Sequence, residues 1–201
     1  MSEGLERISL DKKLEHPLTT IREHLIRYTL ALQNVKDKHV LDIACGTGYG
    51  MYLMSYWAKS VSGYDSDKLT IEKIKHEFKM KCLSYTEVRN LETVVSLGNI
   101  VAQKFDVITC FETLEHLQNP EKLIVLIEKH LSLKGVFCFS VPNKKDLKDN
   151  SKFHKSVFNK DKIIELMRSF KTAKRGELWG QDQWGLSKNL NKPYIVGRIK
   201  L

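Results

Sequence analysis

A short apolar run, His39 to Ala44, feeds straight into three glycines at alternate positions, Gly46, Gly48 and Gly50. The segment reads Val40-Leu-Asp-Ile-Ala-Cys-Gly-Thr-Gly-Tyr-Gly50, a buried strand running into a loop and then a helix from Tyr49. Positions without side chains let a backbone turn sharply and approach a ligand closely, and a helix start offers free amide donors. Asp65 follows Gly46 by nineteen residues, at the end of a second short strand, Ser60 to Tyr64. A carboxylate there can accept both hydroxyl protons of a ribose, which favours an adenosine-type ligand. Dinucleotide sites use similar spacing, because pyrophosphate sits at a helix N-terminus. Asp42, inside the first strand, argues against that ligand: a carboxylate so close repels pyrophosphate and suits an ammonium or sulfonium.

The rest of the chain alternates in the same way. Amphipathic helices are expected over Pro17 to Asn34 (Ile21, Leu25, Tyr28 and Leu32 on one face), Lys68 to Lys79 (Leu69, Ile71, Ile74 and Phe78) and Glu121 to Leu131. A shorter helix is expected over Asp161 to Ser169, and strands over Cys82 to Val88, Phe105 to Phe111, Val136 to Val141 and Tyr194 to Lys200. Alternation of this kind predicts an α/β, Rossmann-like fold with a mostly parallel sheet and helices on both faces. Ligands then bind outside the carboxyl ends of the strands. With 201 residues the chain suits one domain, 1–201, in which residues 1–36 form a helical cap over the ligand site.

Composition narrows the setting. No apolar stretch approaches the roughly 20 residues that span a bilayer, and Met1 to Lys13 mixes charges of both signs instead of carrying a signal peptide's apolar core. A cytoplasmic location is therefore expected. Cys45, Cys82, Cys110 and Cys138 form no CxxC pair and read as reduced thiols in or beside apolar segments. The net charge of +9 gathers partly between Lys144 and Lys162. A basic face can attract nucleic acid or a phosphorylated substrate, but this run lacks arginines and aromatic alternation and reads first as a solvated surface.

The Asp-x-x-x-Gly-x-Gly-x-Gly pattern from Asp42 to Gly50 resembles the S-adenosylmethionine-binding motif of class I methyltransferases. The likeness extends, in order and spacing, to His24-Leu-Ile-Arg-Tyr28, Gly63-Tyr-Asp65, Phe105-Asp-Val-Ile-Thr-Cys-Phe-Glu-Thr-Leu-Glu-His-Leu117, Phe139-Ser-Val-Pro-Asn143 and Phe153-His-Lys-Ser-Val-Phe158. Over about Leu18 to Gly180 the chain looks like the group that includes ubiquinone-type O-methyltransferases, and most like enzymes acting on sugars in glycan synthesis. The resemblance implies S-adenosylmethionine as cofactor. Asp42, Ala44, Gly46 and Gly48 would hold its methionine part, Asp65 its ribose, and Ser66 would lie beside the adenine. Tyr28, on the N-terminal helix, either covers the cofactor or belongs to the core, and Phe111 is a further cofactor-binding candidate. The adenine contact near the third strand falls on Glu87, Val88 or Arg89.

Transfer from a sulfonium needs alignment and a desolvated site. For an alcohol acceptor the proton must also leave, and a neutral histidine can take it. His116, just after the Phe105 to Phe111 strand, is the candidate base. Glu115 is expected to orient it, and His154 to fold over the same opening. Glu112, Glu115 and His116 share a face if Phe111 to Leu117 is helical, and with His154 they could ligate a divalent metal. That arrangement resembles small-RNA 3′-terminal 2′-O-methyltransferases; the sugar-type relatives imply no metal, and none is assigned. Asn143 is either an acceptor-binding group or a turn residue.

The expected activity is methyl transfer to a hydroxyl, less so an amine, of a small polar or phosphorylated acceptor such as a sugar or nucleotide-sugar. Nucleic acid is the less favoured partner, and the membrane is not one. Two other functions compete: a metal-dependent RNA ribose methyltransferase, and a non-catalytic S-adenosylmethionine-binding partner protein on the same fold. Oligomeric state is left open by the sequence.

Overall fold

The computed structural model describes residues 18–77, 82–87, 91, 104–144, 151–173 and 175–201. Of the expected N-terminal cap, residues 1–17 lie outside the described set, as do the candidate adenine contacts Val88 and Arg89.

The elements run α1 (Leu18–Leu32), β1 (His39–Ile43), α2 (Tyr49–Ser55), β2 (Ser60–Asp65), α3 (Lys68–Glu77), β3 (Leu83–Glu87) and β4 (Phe105–Phe111). A 3-10 turn, Leu114–His116, leads to α4 (Pro120–His130), β5 (Leu131–Pro142), α5 (Lys160–Arg168), β6 (Arg175–Asp182), β7 (Gly185–Ser187) and β8 (Tyr194–Lys200). Local chemistry accounts for several boundaries. Pro120 opens α4 at a position where its missing N–H would be unpaired anyway, and the Asn159 side chain caps α5 by accepting from the Lys162 amide at 3.0 Å.

Among the described residues, eight strands form one sheet in the order β3-β2-β1-β4-β5-β8-β6-β7. The first five are parallel, while β8, β6 and β7 pair antiparallel. The expected fold is therefore borne out, with an antiparallel edge block that the sequence reading did not include. Neither β6 nor β7 was expected: the exposure pattern of β6 is mostly intermediate, so it lacks a clean hydrophobic alternation to read. The fifth strand also starts at Leu131 instead of Val136, pairing Phe105 with Leu131 before a register shift.

Side chains alternate across the sheet and build two cores. On one face α1, α2 and α3 cover Val40, Val61, Val107 and Cys138 through Tyr28, Met51, Met54, Ile71 and Ile74. On the other, α4 and α5 cover Leu41, Ile43, Ile108 and Phe137 through Ile124, Ile127, Ile163 and Leu166. Two expected core positions are instead at the surface: Leu25 is 37% and Leu69 79% exposed. All four cysteines are free thiols, three of them buried. Among the described residues no helix is long and apolar enough to cross a membrane.

Candidate cofactor and acceptor site

Strand order reverses between β1 and β4, so a crevice opens where their carboxyl ends diverge. The glycine loop lies there. Ala44, Gly46 and Gly48 all take left-handed φ values, 56°, 53° and 77°. For Ala44 that conformation costs roughly 1–2 kcal/mol, a strain held in place by the strand behind it. A Cβ added at Gly46 would meet nothing within 4 Å, whereas one at Gly50 would fall 1.9 Å from Tyr28 Cζ. Gly46 thus borders open space, and Gly50 makes room for a tyrosine.

The acid after β2 is tied to the loop. Gly46 N donates to Asp65 Oδ2 at 2.8 Å and Asp67 N to Oδ1 at 3.0 Å. Two backbone amides therefore fix the carboxylate beside the cradle, and Ser66 next to it is exposed. This donor set fits an adenosyl ligand: an oriented carboxylate for ribose hydroxyls, and an unobstructed glycine for close approach.

Asp42 sits one residue before the end of β1. It is 1% exposed, and both of its oxygens are engaged: Tyr28 Oη donates to Oδ2 at 2.9 Å, and Thr109 Oγ1 to Oδ1 at 2.6 Å. Burial pushes its carboxyl up to about 7 against the opposing pull of those two hydroxyls, and the nearby Asp65 charge adds to the rise. Tyr28 is a core residue that also packs on Gly50 of the loop. Its ring meets Tyr49 and Phe111 edge-on at 5.4 and 5.0 Å, and burial followed by the Asp42 charge holds its phenol well above the ordinary range.

Arg27 is the residue that sequence reasoning missed. It is 1% exposed on α1. Its Nε donates to Gln181 Oε1 at 2.7 Å, its guanidinium stacks 4.5 Å from the Tyr194 ring centroid, and Nη1 lies 3.5 Å from Glu112 Oε1. Only the unexpected β6 supplies Gln181, so no local pattern could have shown that this arginine is buried. Glu23, one turn earlier, is raised by burial, against the pull of Arg27, with Glu112 and Asp182 adding to the rise.

Beyond β4 the chain does not continue as a helix. Glu112 takes φ 48° and accepts from Ser140 Oγ at 2.7 Å, so it turns toward Arg27 and away from the turn that carries Glu115 and His116. The proposed four-residue set is thereby split. What remains together is Glu115, His116 and His154, whose ligand-type atoms lie within 4.8 Å of one another. The two imidazoles meet edge-on at 5.1 Å. His116 Nδ1 is 3.1 Å from the Phe153 carbonyl, which can only accept, so in the neutral ring Nε2 carries the lone pair. That carbonyl is the partner at Nδ1. The segment carrying His154 is pinned to the turn: the Lys155 and Ser156 amides donate to Glu115 O at 2.7 and 3.0 Å, and Ser156 Oγ donates to Leu117 O at 2.7 Å. Asn143 takes the turn role, its Nδ2 donating to the Leu190 and Lys192 carbonyls.

Residues 14–183 match the family model described as a methyltransferase domain. The chain belongs to this methyltransferase domain family. The expected class I domain with S-adenosylmethionine as its cofactor is thus borne out. The domain is 29% identical over 129 residues to a ubiquinone biosynthesis O-methyltransferase of Coxiella burnetii, covering 64% of this chain and 53% of that protein. It is 31% identical over 136 residues to one of Histophilus somni, covering 67% and 56%. The chain therefore spans about half the length of these curated relatives. In fold, the methyltransferase domain is similar to the N-methyltransferase NodS of Bradyrhizobium japonicum solved with S-adenosyl-L-homocysteine, with TM-score 0.69, 16% identity and coverage of 94% and 90% of the two chains. It is also similar to a methyltransferase of Clostridium acetobutylicum, with TM-score 0.66, 15% identity and coverage of 93% of each.

Proposed function

We propose that this chain transfers the methyl group of S-adenosylmethionine to a hydroxyl of a small polar or phosphorylated acceptor, such as a sugar or nucleotide-sugar, in the cytoplasm. The observation that carries this reading is the His116 and His154 pair beside buried Glu115, at the same sheet edge as the glycine loop. The cofactor supplies an electrophilic methyl on a sulfonium. The chain's own residues do the rest. Asp65 orients the ribose, Gly46 and Gly48 let the backbone close on the ligand, α1 covers it, and Phe111 and Tyr28 keep that flank dry. Arg27 offers a buried guanidinium to the ligand's charged end. His116, its Nδ1 proton held by the Phe153 carbonyl, presents Nε2 to take the acceptor's proton. Glu115 and His154 stabilise the positive charge that forms on that ring.

The O-methyltransferase names of the relatives support a hydroxyl acceptor. Exposed Lys152, Lys155 and Lys160 on the His154 segment favour an acceptor bearing phosphate. The test is methyl release from labelled S-adenosylmethionine against a panel of sugars, sugar phosphates and nucleotide-sugars. Turnover on none of them, beside normal cofactor binding, would point to the non-catalytic reading.

The clustering of one carboxylate and two imidazoles within 4.8 Å also favours a second reading, in which the three ligate a divalent cation that binds the acceptor oxygen. Activity lost on chelation and restored by manganese or cobalt would select it. Salt-sensitive RNA binding would extend it to a ribose acceptor.

A further inference from the structure

The amino ends of the parallel strands, opposite the glycine loop, form a surface of their own. A lysine directly precedes three of these strands: Lys38 before β1, Lys59 before β2 and Lys104 before β4. Lys36 and Lys134 stand in the neighbouring turns, and all five are exposed. Large apolar side chains stand out beside them. Leu133 lies where β5 bulges between its Leu131 and Val136 pairings with β4 and is 91% exposed, with Tyr56 at 58% and Trp57 at 51%.

The turns that carry these residues are bonded to one another. Asp37 N donates to Trp57 O at 2.9 Å, and Lys59 N to Lys38 O at 2.9 Å. Asp106 joins the bulge to them, accepting from His39 N at 3.0 Å and from Ser132 Oγ at 3.1 Å. The Tyr56 and Trp57 rings brace each other at 5.9 Å, and Tyr56 Oη donates to Tyr52 Oη at 2.6 Å. Cations and apolar groups are thus held on one connected edge. Asp106 uses each oxygen in those two bonds, and Asp37 is the exposed acid among the described residues of these turns.

Exposed lysines alone read as a solvated surface. Apolar side chains exposed singly need no explanation, but several of them set among polar groups mark an interaction surface. Cations interleaved with Trp, Tyr and Leu match the headgroup layer of an anionic bilayer, where aromatic rings lie at the interface and lysine stems reach phosphate. Nucleic acid fits less well: Leu133 gives a base nothing to stack on, and none of the five cations is an arginine.

We infer that this edge docks the protein peripherally on an anionic membrane surface, with Trp57 and Leu133 entering the headgroup region and the five lysines facing its phosphates. The criterion that argues against a membrane-spanning helix concerns length, and it does not bear on turns that touch a surface. β1 separates Lys38 from the glycine loop by roughly 16 Å, so the docked protein turns its carboxyl edge to water. The inference does not depend on which acceptor is methylated.

Co-sedimentation of the full chain with phosphatidylcholine vesicles, with and without phosphatidylglycerol, tests it. The expected result is binding to the anionic vesicles only, weakening as salt rises. Lys38→Ala combined with Lys59→Ala should weaken that binding about thirtyfold, at roughly fivefold per lysine. Leu133→Ser and Trp57→Ser should each weaken it about fivefold. All of these variants should keep the parent's Tm and its Kd for S-adenosylhomocysteine, which separates docking from folding and from cofactor binding. A parent that ignores anionic vesicles overturns the inference, as does binding unchanged by the lysine pair or by Leu133→Ser. So does binding to single-stranded RNA that the lysine pair weakens while Leu133→Ser alters neither ligand; that result assigns the edge to nucleic acid.

Discussion

Arg27 Nε donates to Gln181 Oε1 over 2.7 Å, joining α1 to β6 across 154 positions of the chain. Gln181 is fully buried, and its Nε2 donates to the Glu23 carbonyl at 2.6 Å, so one side chain ties the edge block to α1. Gln181→Ala leaves a buried guanidinium nitrogen and a helix carbonyl without these partners. The expected loss is about 1–3 kcal/mol of stability, read by urea unfolding, together with weaker binding of S-adenosylhomocysteine. Parent-like stability would mean that water replaces both bonds.

Gly46 and Gly50 should fail in opposite ways when replaced. Gly46→Val puts its side chain into open space, so the protein should fold, with a penalty of roughly 1–2 kcal/mol for the left-handed backbone, and bind S-adenosylmethionine at least about tenfold more weakly. Gly50→Ala drives a methyl into the Tyr28 ring and should lower stability by about 1–3 kcal/mol. Thermal unfolding and calorimetry on the two variants check the contrast.

Asp42 gives stability a pH dependence. Burial raises its folded-state value from 3.8 to about 7, so between those values the folded chain holds a proton that the unfolded chain has released. Stability from this group is therefore highest at the acid end, declines as pH rises through that window, and levels off above about 7. Asp42→Asn should flatten that decline. Chemical denaturation of parent and variant from pH 5 to 8 measures the difference; parallel curves would show that Asp42 does not titrate there.

His116→Ala is expected to lower turnover by about 10²- to 10⁴-fold with little change in cofactor affinity, once an acceptor is found. His154→Ala should act in the same direction but less strongly, because His154 supports the ring and does not take the proton. Single-turnover rates beside calorimetric Kd values separate the two effects. Equal rates for His116→Ala and parent would remove that residue from the chemistry.

Much of the site was legible because its determinants are local. The glycine spacing after β1, the carboxylate closing β2 and the apolar run of β4 each depend on neighbouring residues, and the structure places Gly46 against Asp65 at 2.8 Å. Glu112 would share a face with Glu115 and His116 only in a continuous helix; the left-handed turn at φ 48° breaks the run, and the carboxylate accepts from Ser140 instead. Leu25 is 37% exposed while Arg27 is buried at 1%. The apolar stripe of α1 assumes water on the far side, and that side is covered in part by β6.

By itself the sequence determined the alternating strand and helix order, the glycine loop after β1, and the pairing of loop with acid, since backbone freedom and hydrophobic period are properties of short segments. Only the tertiary structure decided that Asp42 is sealed by Tyr28 and Thr109, that Arg27 is buried beneath Gln181 and Tyr194, and that His116 meets His154 while Glu112 does not. Those contacts join residues up to 154 positions apart, and burial, which sets their charge and their unmet hydrogen bonds, exists only once distant elements have packed.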